Sequence, residues 1–281
     1  MKVAVTGATG FIGRHVLAEL ETRSVESIAL VRPSTVKTLG NFKCSIVRFD
    51  LHNAPPNTFE LMGRPDELIH LAWSGLPNYK SLHHFEQELP AQYQFLKSLV
   101  ESGLQTIVVA GTCFEYGMQS GSLSEVFAAR PNNPYGFAKD ALRCQLEYLK
   151  AARPFQLAWA RLFYLYGEGQ SESSLLSQLR RAVERGDQFF NMSGGEQLRD
   201  YLPVAEAARH LVSLALAEKD IGVVNVCTGI PISVRKLVEG WIKENGWSIR
   251  LNLSHYPYPD YEPMAFWGDP QKLSSIISKT T

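Results

Sequence analysis

Residues 6–13 read TGATGFIG and join a short apolar run at 2–7 to a helical pattern at 12–23. Gly7, Gly10 and Gly13 therefore stand at three-residue intervals between a predicted strand and a predicted helix. In dinucleotide-binding folds the first such glycine permits a tight turn, the second lets backbone approach a pyrophosphate, and the third lets the helix pack on the strand. Because the motif lies in the strand–helix context that this role requires, it predicts a phosphate-binding loop at the helix N-terminus.

The chain after this loop alternates strand-like and helical patterns. Strands are predicted at 27–31, 44–49, 67–72, 106–111 and 156–163, and helices at 91–103 and 134–152. Such alternation predicts an α/β protein with a doubly wound parallel sheet of the Rossmann type, which binds ligands beyond the carboxyl ends of its strands. We predict a dinucleotide-binding domain at 1–165 and a smaller C-terminal substrate-binding lobe at 166–281, with 201–228 returning to the sheet.

The composition of the chain indicates which classes of binding partner to expect. Lys and Arg number 28 and Asp and Glu number 28, so the net charge is zero and neither nucleic acid nor an anionic membrane surface is expected to bind. The four cysteines lack metal or redox spacing, and His70, His83 and His84 lack metal spacing with acidic partners, so no metal is predicted. A start without a secretion signal and the absence of a long apolar run lead us to expect a reduced, cytoplasmic protein.

The end of the second predicted strand indicates the cofactor. The stretch ALVRPST at 29–35 places Arg32 and Ser34 where NAD-binding proteins carry an acidic residue, and neither Asp nor Glu occurs between Ile28 and Asn41. An acidic side chain there binds the ribose 2′-hydroxyl of NAD, whereas arginine accommodates the 2′-phosphate of NADP. The sequence therefore predicts NADPH in preference to NADH.

A tyrosine and a lysine provide a candidate proton-transfer pair. Tyr135 and Lys139, in YGFAK, lie four positions apart at the start of a predicted helix and share a face. A free tyrosine has a pKa of about 10, and a neighbouring ammonium group lowers it. We therefore expect Lys139 to lower the pKa of Tyr135. Thr112, in GTCFEYG at 111–117, follows a predicted strand and carries a hydroxyl group.

Several motifs together resemble the extended short-chain dehydrogenase/reductases, the NAD-dependent epimerase/dehydratase family. They are TGATGFIG, HLAW (70–73), GTCFEYG, YGFAK, RLFYLYGEGQ (161–170), LRDYLPVAEAA (198–208) and NVCTG (225–229), and they span nearly the whole chain. The resemblance implies that Tyr135 exchanges a proton with the substrate, that Thr112 hydrogen-bonds the same oxygen, and that Lys139 also holds the nicotinamide ribose.

The resemblance and the residue chemistry also yield a set of binding residues. The expected cofactor contacts are Gly7, Thr9, Gly10, Phe11, Ile12, Arg32, Ser34, Asp50, Leu51, Leu71, Ala72, Tyr135 and Lys139. The expected substrate contacts are Trp73, Thr112, Cys113, Phe114, Tyr164 and Arg199. Tyr164 stands where many family members have an asparagine near the substrate diphosphate, and Arg199 is similar to a family arginine near the nucleotide phosphates.

Two residues of GTCFEYG differ from the residues that related enzymes carry at the same positions. The family's 4,6-dehydratases carry Asp and Glu directly after this Thr, where this chain has Cys113 and Phe114. The GDP-fucose synthases carry a cysteine two residues after their Ser, whereas Cys113 comes one residue after Thr112. The resemblance thus implies NADPH-dependent C4-keto reduction of a dTDP- or CDP-linked 4-keto-6-deoxyhexose, without prior epimerisation, for deoxysugar and surface polysaccharide biosynthesis. An NAD-dependent nucleotide-sugar C4 epimerase and a non-catalytic cofactor-binding regulator remain alternatives, and a homodimer built on the Tyr135 helix is expected.

Overall fold

The computed structural model describes residues 1–34, 39 and 41–278. The strands are β1 Lys2–Thr6, β2 Glu26–Val31, β3 Ser45–Arg48, β4 Glu67–His70, β5 Thr106–Thr112, β6 Gly121–Leu123, β7 Gln156–Leu162, β8 Tyr164–Tyr166, β9 Phe189–Asn191, β10 Leu198–Arg199, β11 Tyr201–Pro203, β12 Gly222–Val226, β13 Ile232–Ser233, β14 Arg250–Asn252 and β15 Phe266–Gly268. The α-helices are α1 Phe11–Thr22, α2 Thr58–Leu61, α3 Leu89–Glu101, α4 Pro134–Ala152, α5 Leu175–Glu184, α6 Val204–Ala215, α7 Val234–Glu244 and α8 Gln271–Ile277.

Seven parallel strands form the central sheet, in the order β12-β7-β5-β4-β1-β2-β3. The order reverses between β1 and β4, and in a doubly wound sheet this reversal opens a ligand crevice beyond the carboxyl ends of the strands. Helices α1 and α6 contribute to the apolar core on one face, and α3 and α4 to the core on the other. The predicted doubly wound α/β fold is confirmed.

The chain after β7 adds to the large sheet and also builds smaller pieces. Strand β12 pairs with β7 at the edge of the sheet, within the segment 201–228. Among the described residues, four two-stranded sheets pair β8 with β11, β9 with β14, β10 with β13 and β6 with β15. Helices α5 and α7 enclose a separate apolar cluster that includes Leu179, Phe190 and Trp241. No helix in residues 1–34, 39 and 41–278 is both long and apolar enough to cross a membrane.

Helix α4 brings its first turn to the carboxyl edge of β5. The Asn133 side chain accepts a hydrogen bond from the Gly136 amide at 2.9 Å and caps the helix, and Pro134 occupies the first turn, where it needs no hydrogen-bond donor. Buried residues then recur along one face, and Tyr135 and Lys139 belong to that face. The helix therefore holds both side chains against the sheet.

A buried carboxyl group lies at the opposite edge of the sheet. Glu67 begins β4 and is 2% exposed, and its Oε2 lacks a hydrogen-bond partner among the described residues. Burial raises the pKa of Glu67 to about 8, and the neighbouring charges of Glu218 and Asp66 raise it further. Since an unpaired buried charge is costly, this group carries its proton at neutral pH.

Glu67 should make the free energy of unfolding depend on pH. Its folded pKa of about 8 exceeds its ordinary value of 4.5, so the folded state keeps a proton that the unfolded state loses, and stability should fall as pH rises from about 4.5 to 8. Glu67→Gln should flatten this fall and raise the melting temperature at pH 9 more than at pH 5. Glu86→Gln, at an exposed position, is the control. If the substitution Glu67→Gln changed the melting temperature by the same amount at pH 5 and at pH 9, the prediction would be contradicted.

Candidate active site

A cleft of about 300 Å³ lies beyond β1 and β4, where the strand order reverses. Eight residues predicted to contact the cofactor line it, namely Gly7, Thr9, Gly10, Arg32, Asp50, Leu51, Leu71 and Ala72. Phe11 and Ile12 open α1 directly after the glycine loop, and Ser34 is exposed just beyond β2. The structure thus brings the ends of β1, β2, β3 and β4 together around one cleft.

The glycine loop is too crowded to accept side chains. Gly7 has a φ of +64°, in the left-handed region that favours glycine, and a Cβ there would lie 3.0 Å from the Ala72 amide. A Cβ on Gly13 would lie only 2.2 Å from the Gly7 carbonyl oxygen. Gly10 forms the N-cap of α1 without a side-chain hydrogen bond, so no side chain of the cap competes with an anion for the first amides of the helix. These features fit a dinucleotide pyrophosphate.

Thr112, Tyr135 and Lys139 come together at the carboxyl end of β5. Thr112 ends that strand, and its hydrogen bond to Tyr135 lowers the pKa of the phenol. Burial has the larger effect, however, and raises the pKa of Tyr135 well above its ordinary value. Lys139 is 2% exposed and donates from Nζ to the Ala110 carbonyl oxygen at 2.9 Å. Burial lowers the pKa of Lys139 to about 7, although the charges of Glu115 and Glu88 oppose the change.

The expectation that Lys139 lowers the pKa of Tyr135 was wrong. The phenol is buried beside Tyr79, Glu115 and Cys113, and each of these neighbours disfavours a phenolate. The environment of the folded site, rather than the spacing of two residues in one helix, therefore determines the protonation of the tyrosine. The phenol keeps its proton at neutral pH.

Glu115 fixes the loop that carries Thr112. This carboxylate is fully buried and accepts from the Thr112 amide at 2.8 Å, from Trp159 Nε1 at 2.9 Å and from Arg161 Nε at 2.7 Å. Thr112 in turn accepts from the Phe114 amide at 3.3 Å, and Thr112 and Glu115 together form a reciprocal capping box. Burial raises the pKa of Glu115, while the neighbouring Arg161 lowers it.

Cys113 and Phe114 follow Thr112 in different environments. Cys113 is 5% exposed and packs in an apolar cluster with Tyr116, Phe163 and Cys227. Burial raises the pKa of the Cys113 thiol far above its ordinary value, so the group stays protonated. The Phe114 ring lies 6.3 Å from the Tyr135 ring, measured between centroids.

Aromatic side chains from the loop after β4 form a wall beside the candidate acid. The Trp73 ring centroid lies 3.9 Å from Lys139 Nζ and 6.1 Å from the Tyr135 ring, in an edge-on arrangement with that ring. The Tyr79 ring lies 5.6 Å from the Tyr135 ring and 4.7 Å from the Phe114 ring. An ammonium group this close to an indole face is stabilised by the ring quadrupole.

Arg199 and Tyr164 converge on a carboxylate that the sequence interpretation missed. Arg199 Nη2 lies 3.0 Å from Glu262 Oε1, and the Tyr164 hydroxyl donates to Glu262 Oε2. Arg199 is 2% exposed and also donates from Nη1 to the Leu198 carbonyl oxygen at 2.8 Å. The guanidinium group thus already has an anionic partner, and its contact with a substrate diphosphate stays a prediction.

A buried chain of hydrogen bonds crosses the wall of the cleft. The Thr6 hydroxyl accepts from the Leu71 amide at 3.0 Å and lies 2.9 Å from His70 Nδ1, to which it donates. His70 Nε2 donates to Gln92 Oε1 at 2.7 Å, and Gln92 Nε2 donates to Glu88 Oε2 at 2.7 Å. Burial lowers the pKa of His70 to about 3, so the ring is neutral and takes this single tautomer. Among the described residues, no group of three His, Cys, Asp or Glu side chains could hold a metal ion.

Comparison with known proteins gives a consistent picture. The model of the NAD dependent epimerase/dehydratase family matches residues 3–227. The chain is 28% identical to a dTDP-6-deoxy-L-talose 4-dehydrogenase (NAD(+)) of Aggregatibacter actinomycetemcomitans, over 95% of this chain and 99% of that protein. It is also 28% identical to a dTDP-6-deoxy-L-talose 4-dehydrogenase (NAD(P)(+)) of Kitasatospora kifunensis, over 92% and 83%. The solved structure of MoeE5 in complex with UDP-glucuronic acid and NAD matches with a TM-score of 0.82 and 27% identity, over 99% and 93%.

The crowding at Gly13 leads to a test of the cleft. Gly13→Ala should weaken the binding of NADPH and NADH by about tenfold or more, because the new Cβ would displace α1 from the loop and overpacking costs of this kind are on the order of 1–3 kcal/mol. Gly240→Ala is a matched control, since a Cβ there meets nothing within 4 Å. Both dissociation constants are measured by fluorescence titration. Wild-type affinity in a folded Gly13→Ala variant would contradict this account of the loop.

Proposed function

Because the chain belongs to the NAD dependent epimerase/dehydratase family, we propose that it uses NADPH to reduce the C4 keto group of a nucleotide-activated 4-keto-6-deoxyhexose. The sugar would be linked to dTDP or CDP and would serve deoxysugar and surface polysaccharide biosynthesis. Two relatives are named as dTDP-6-deoxy-L-talose 4-dehydrogenases, and the reverse of a 4-dehydrogenation is a C4-keto reduction. The names support C4 chemistry on a deoxysugar nucleotide.

The observation that carries the proposal is the content of the loop at 112–117. Elimination of water requires an acid and a base next to the sugar. Cys113 is a buried thiol, Phe114 has no exchangeable proton, and the Glu115 carboxylate is occupied by Thr112, Trp159 and Arg161. Tyr135 keeps its proton at neutral pH and hydrogen-bonds Thr112, so it is the proposed donor of the one proton that reduction of a ketone needs.

The residues of this chain would carry out the reduction as follows. Thr112 donates a hydrogen bond to the C4 oxygen, and Tyr135 transfers its phenolic proton to that oxygen while Lys139 stabilises the charge that remains. The cofactor, when bound in the cleft, supplies the hydride that C4 receives. The carbonyl gains one hydride and one proton and becomes a secondary alcohol, after which Tyr135 recovers a proton from solvent. Trp73 and Phe114 flank the sugar, and the lobe at 166–281 binds its nucleotide.

Two alternatives predict different use of cofactor. A C4 epimerase oxidises and re-reduces the same sugar, so it consumes no NADPH overall. A cofactor-binding regulator needs no proton donor. The presence of Thr112, Tyr135 and Lys139 in one buried site therefore disfavours this alternative. Stoichiometric NADPH consumption with a panel of dTDP-, CDP- and GDP-linked 4-keto-6-deoxyhexoses distinguishes the proposal from both alternatives.

We also propose that the enzyme is a cytoplasmic homodimer. Helix α4 carries Tyr135 on its buried face, whereas Phe137 and Tyr148 of the same helix are 52% and 80% exposed. Large apolar groups exposed along one helix favour contact with another protein surface, here a second copy of the chain. Light scattering of the purified protein measures the oligomeric state directly.

Removal of the Tyr135 hydroxyl tests the mechanism. Tyr135→Phe should lower kcat by about 10²- to 10⁴-fold, the scale of general acid catalysis, and should leave NADPH affinity and the melting temperature nearly unchanged. Tyr148→Phe removes an exposed hydroxyl from the same helix and serves as the control. Turnover is followed by NADPH absorbance with the responsive sugar nucleotide. Near-normal turnover in Tyr135→Phe would exclude this tyrosine as the acid.

Arg32 provides a separate test of cofactor preference. Wild type should show a higher kcat/KM with NADPH than with NADH, because the Arg32 guanidinium at the wall of the cleft suits a 2′-phosphate. Arg32→Asp should lower kcat/KM for NADPH and spare NADH, since a carboxylate repels the phosphate. Arg64→Asp, at an exposed position beyond the opposite edge of the sheet, controls for the change of net charge. Equal wild-type values for the two cofactors would refute the preference.

A further inference from the structure

Helix α3 begins in a π-helical turn that reaches into the cofactor cleft. The turn spans His84–Glu88, and both of these end residues are fully buried. Glu88 lines the cleft together with Ser74 and Gln92. Single π-helical turns are rare and often occur at functional sites, because they redirect side chains that a regular helix would place elsewhere. The family resemblance assigned no role to Glu88.

The Glu88 carboxylate accepts hydrogen bonds from three different parts of the chain. Its Oε1 accepts from the Ser74 hydroxyl at 2.6 Å and from His52 Nε2 at 2.8 Å. Its Oε2 accepts from Gln92 Nε2 at 2.7 Å and from the Ser74 amide at 3.2 Å. Burial alone would raise the pKa of Glu88, but the hydrogen bonds from Ser74 and Gln92, together with the electrostatic interaction with His52, outweigh burial and lower it. The carboxylate is therefore ionised and saturated.

Ser74 belongs to a loop that connects the cleft with the candidate acid. The loop runs from Trp73, whose ring covers the Lys139 ammonium group, to Tyr79, whose carbonyl oxygen accepts from the Tyr135 amide at 3.2 Å. His84 of the π-helical turn supports the same loop, since it accepts from Trp73 Nε1 at 3.1 Å and lies 2.9 Å from the Asn78 carbonyl oxygen, to which Nε2 donates. The turn thus holds the loop at three points.

From this geometry we propose that Glu88 is a positioning residue, which holds Ser74 and thereby fixes the Trp73–Tyr79 loop against the cofactor cleft, Lys139 and Tyr135. Glu88 touches neither the reacting carbon nor the transferred proton in this account. It acts by placing the wall that a bound dinucleotide meets and the aromatic side chains beside the proton donor. The proposal depends on dinucleotide binding in the cleft and holds for any sugar substrate.

The charge of Glu88 gives it a second, measurable effect. His52 and His83 contact the carboxylate, the latter at 3.3 Å, while His84 and Lys139 feel its charge at longer range. Asp50 lies on the far side of His52, at 3.3 Å. Because an anion favours the protonated form of Lys139, its removal should move the titration of Lys139 to lower pH. A purely structural role would not predict this shift.

Glu88→Gln is the decisive variant because it keeps the volume and removes the charge. Its amide places N–H groups at one of the two oxygen positions that accept from Ser74, so in either orientation one hydrogen bond of Ser74 should be lost. We expect the Ser74 amide to exchange with solvent about tenfold faster, and NADPH and NADH dissociation constants to rise about tenfold, on the scale of one hydrogen bond to a charged group. The pH at which NADPH binding weakens on the alkaline side should also fall.

Glu86→Gln is the matched control, since Glu86 is an exposed carboxylate in the same turn. Cofactor binding and amide exchange need no sugar substrate, so the experiment remains decisive if the proposed reduction is not the reaction. Cofactor affinities within twofold of wild type, or an unchanged alkaline limb, would overturn the proposal. Uniformly faster exchange throughout the chain, with a lower melting temperature, would also overturn it, because Glu88 would then be a general stabilising residue. If Glu88→Gln does not fold, the unfolding itself assigns Glu88 to the stability of the domain and refutes a positioning role.

Discussion

The ion pair between Glu115 and Arg161, at 2.7 Å and almost free of solvent, ties the loop that carries Thr112 to the central sheet. Removing two charges from water is costly. The cost is offset for the carboxylate, because Glu115 also accepts from Thr112 and Trp159, whereas Arg161 Nη1 has no hydrogen-bond partner among the described residues. The pair thereby joins the end of β5 to β7 and sets the place of Thr112. The position of the Thr112 hydroxyl beside Tyr135 therefore depends on one satisfied carboxylate.

Local patterns predicted the features that have local causes. The spacing of Gly7, Gly10 and Gly13 predicted a tight turn at the first glycine and close packing of the helix at the third. The φ of +64° at Gly7 and the lack of space for a Cβ at Gly13 agree with both. The bounds of α4 were also predictable, since Pro134 and the capping residue before it mark a helix start. Helix α7 carried a comparable signal, with apolar residues at helical spacing from Val234 to Trp241, and it could have been found.

Other features arise from contacts between distant segments and have no local signal. Glu262 comes from a tail rich in aromatic residues and proline, and only the folded chain brings it to Arg199. Glu88 likewise meets Ser74 and His52 through the π-helical turn, which sequence periodicity does not predict. The pKa of Tyr135 was wrongly predicted for the same reason, because burial by several elements outweighs a neighbour in its own helix.

The cysteines of the chain fall into two groups that differ in access to reagents. Cys113 and Cys227 are buried together in one apolar cluster, whereas Cys44 and Cys144 are partly exposed, the former just before β3 and the latter within α4. A maleimide dye added to the native monomer would therefore react with Cys44 and Cys144 before it reacts with Cys113, the thiol beside Thr112. Cys144 lies on the same face of α4 as Phe137 and Tyr148, so a homodimer built on that face would protect it and leave Cys44 as the attachment point for a fluorophore or spin label.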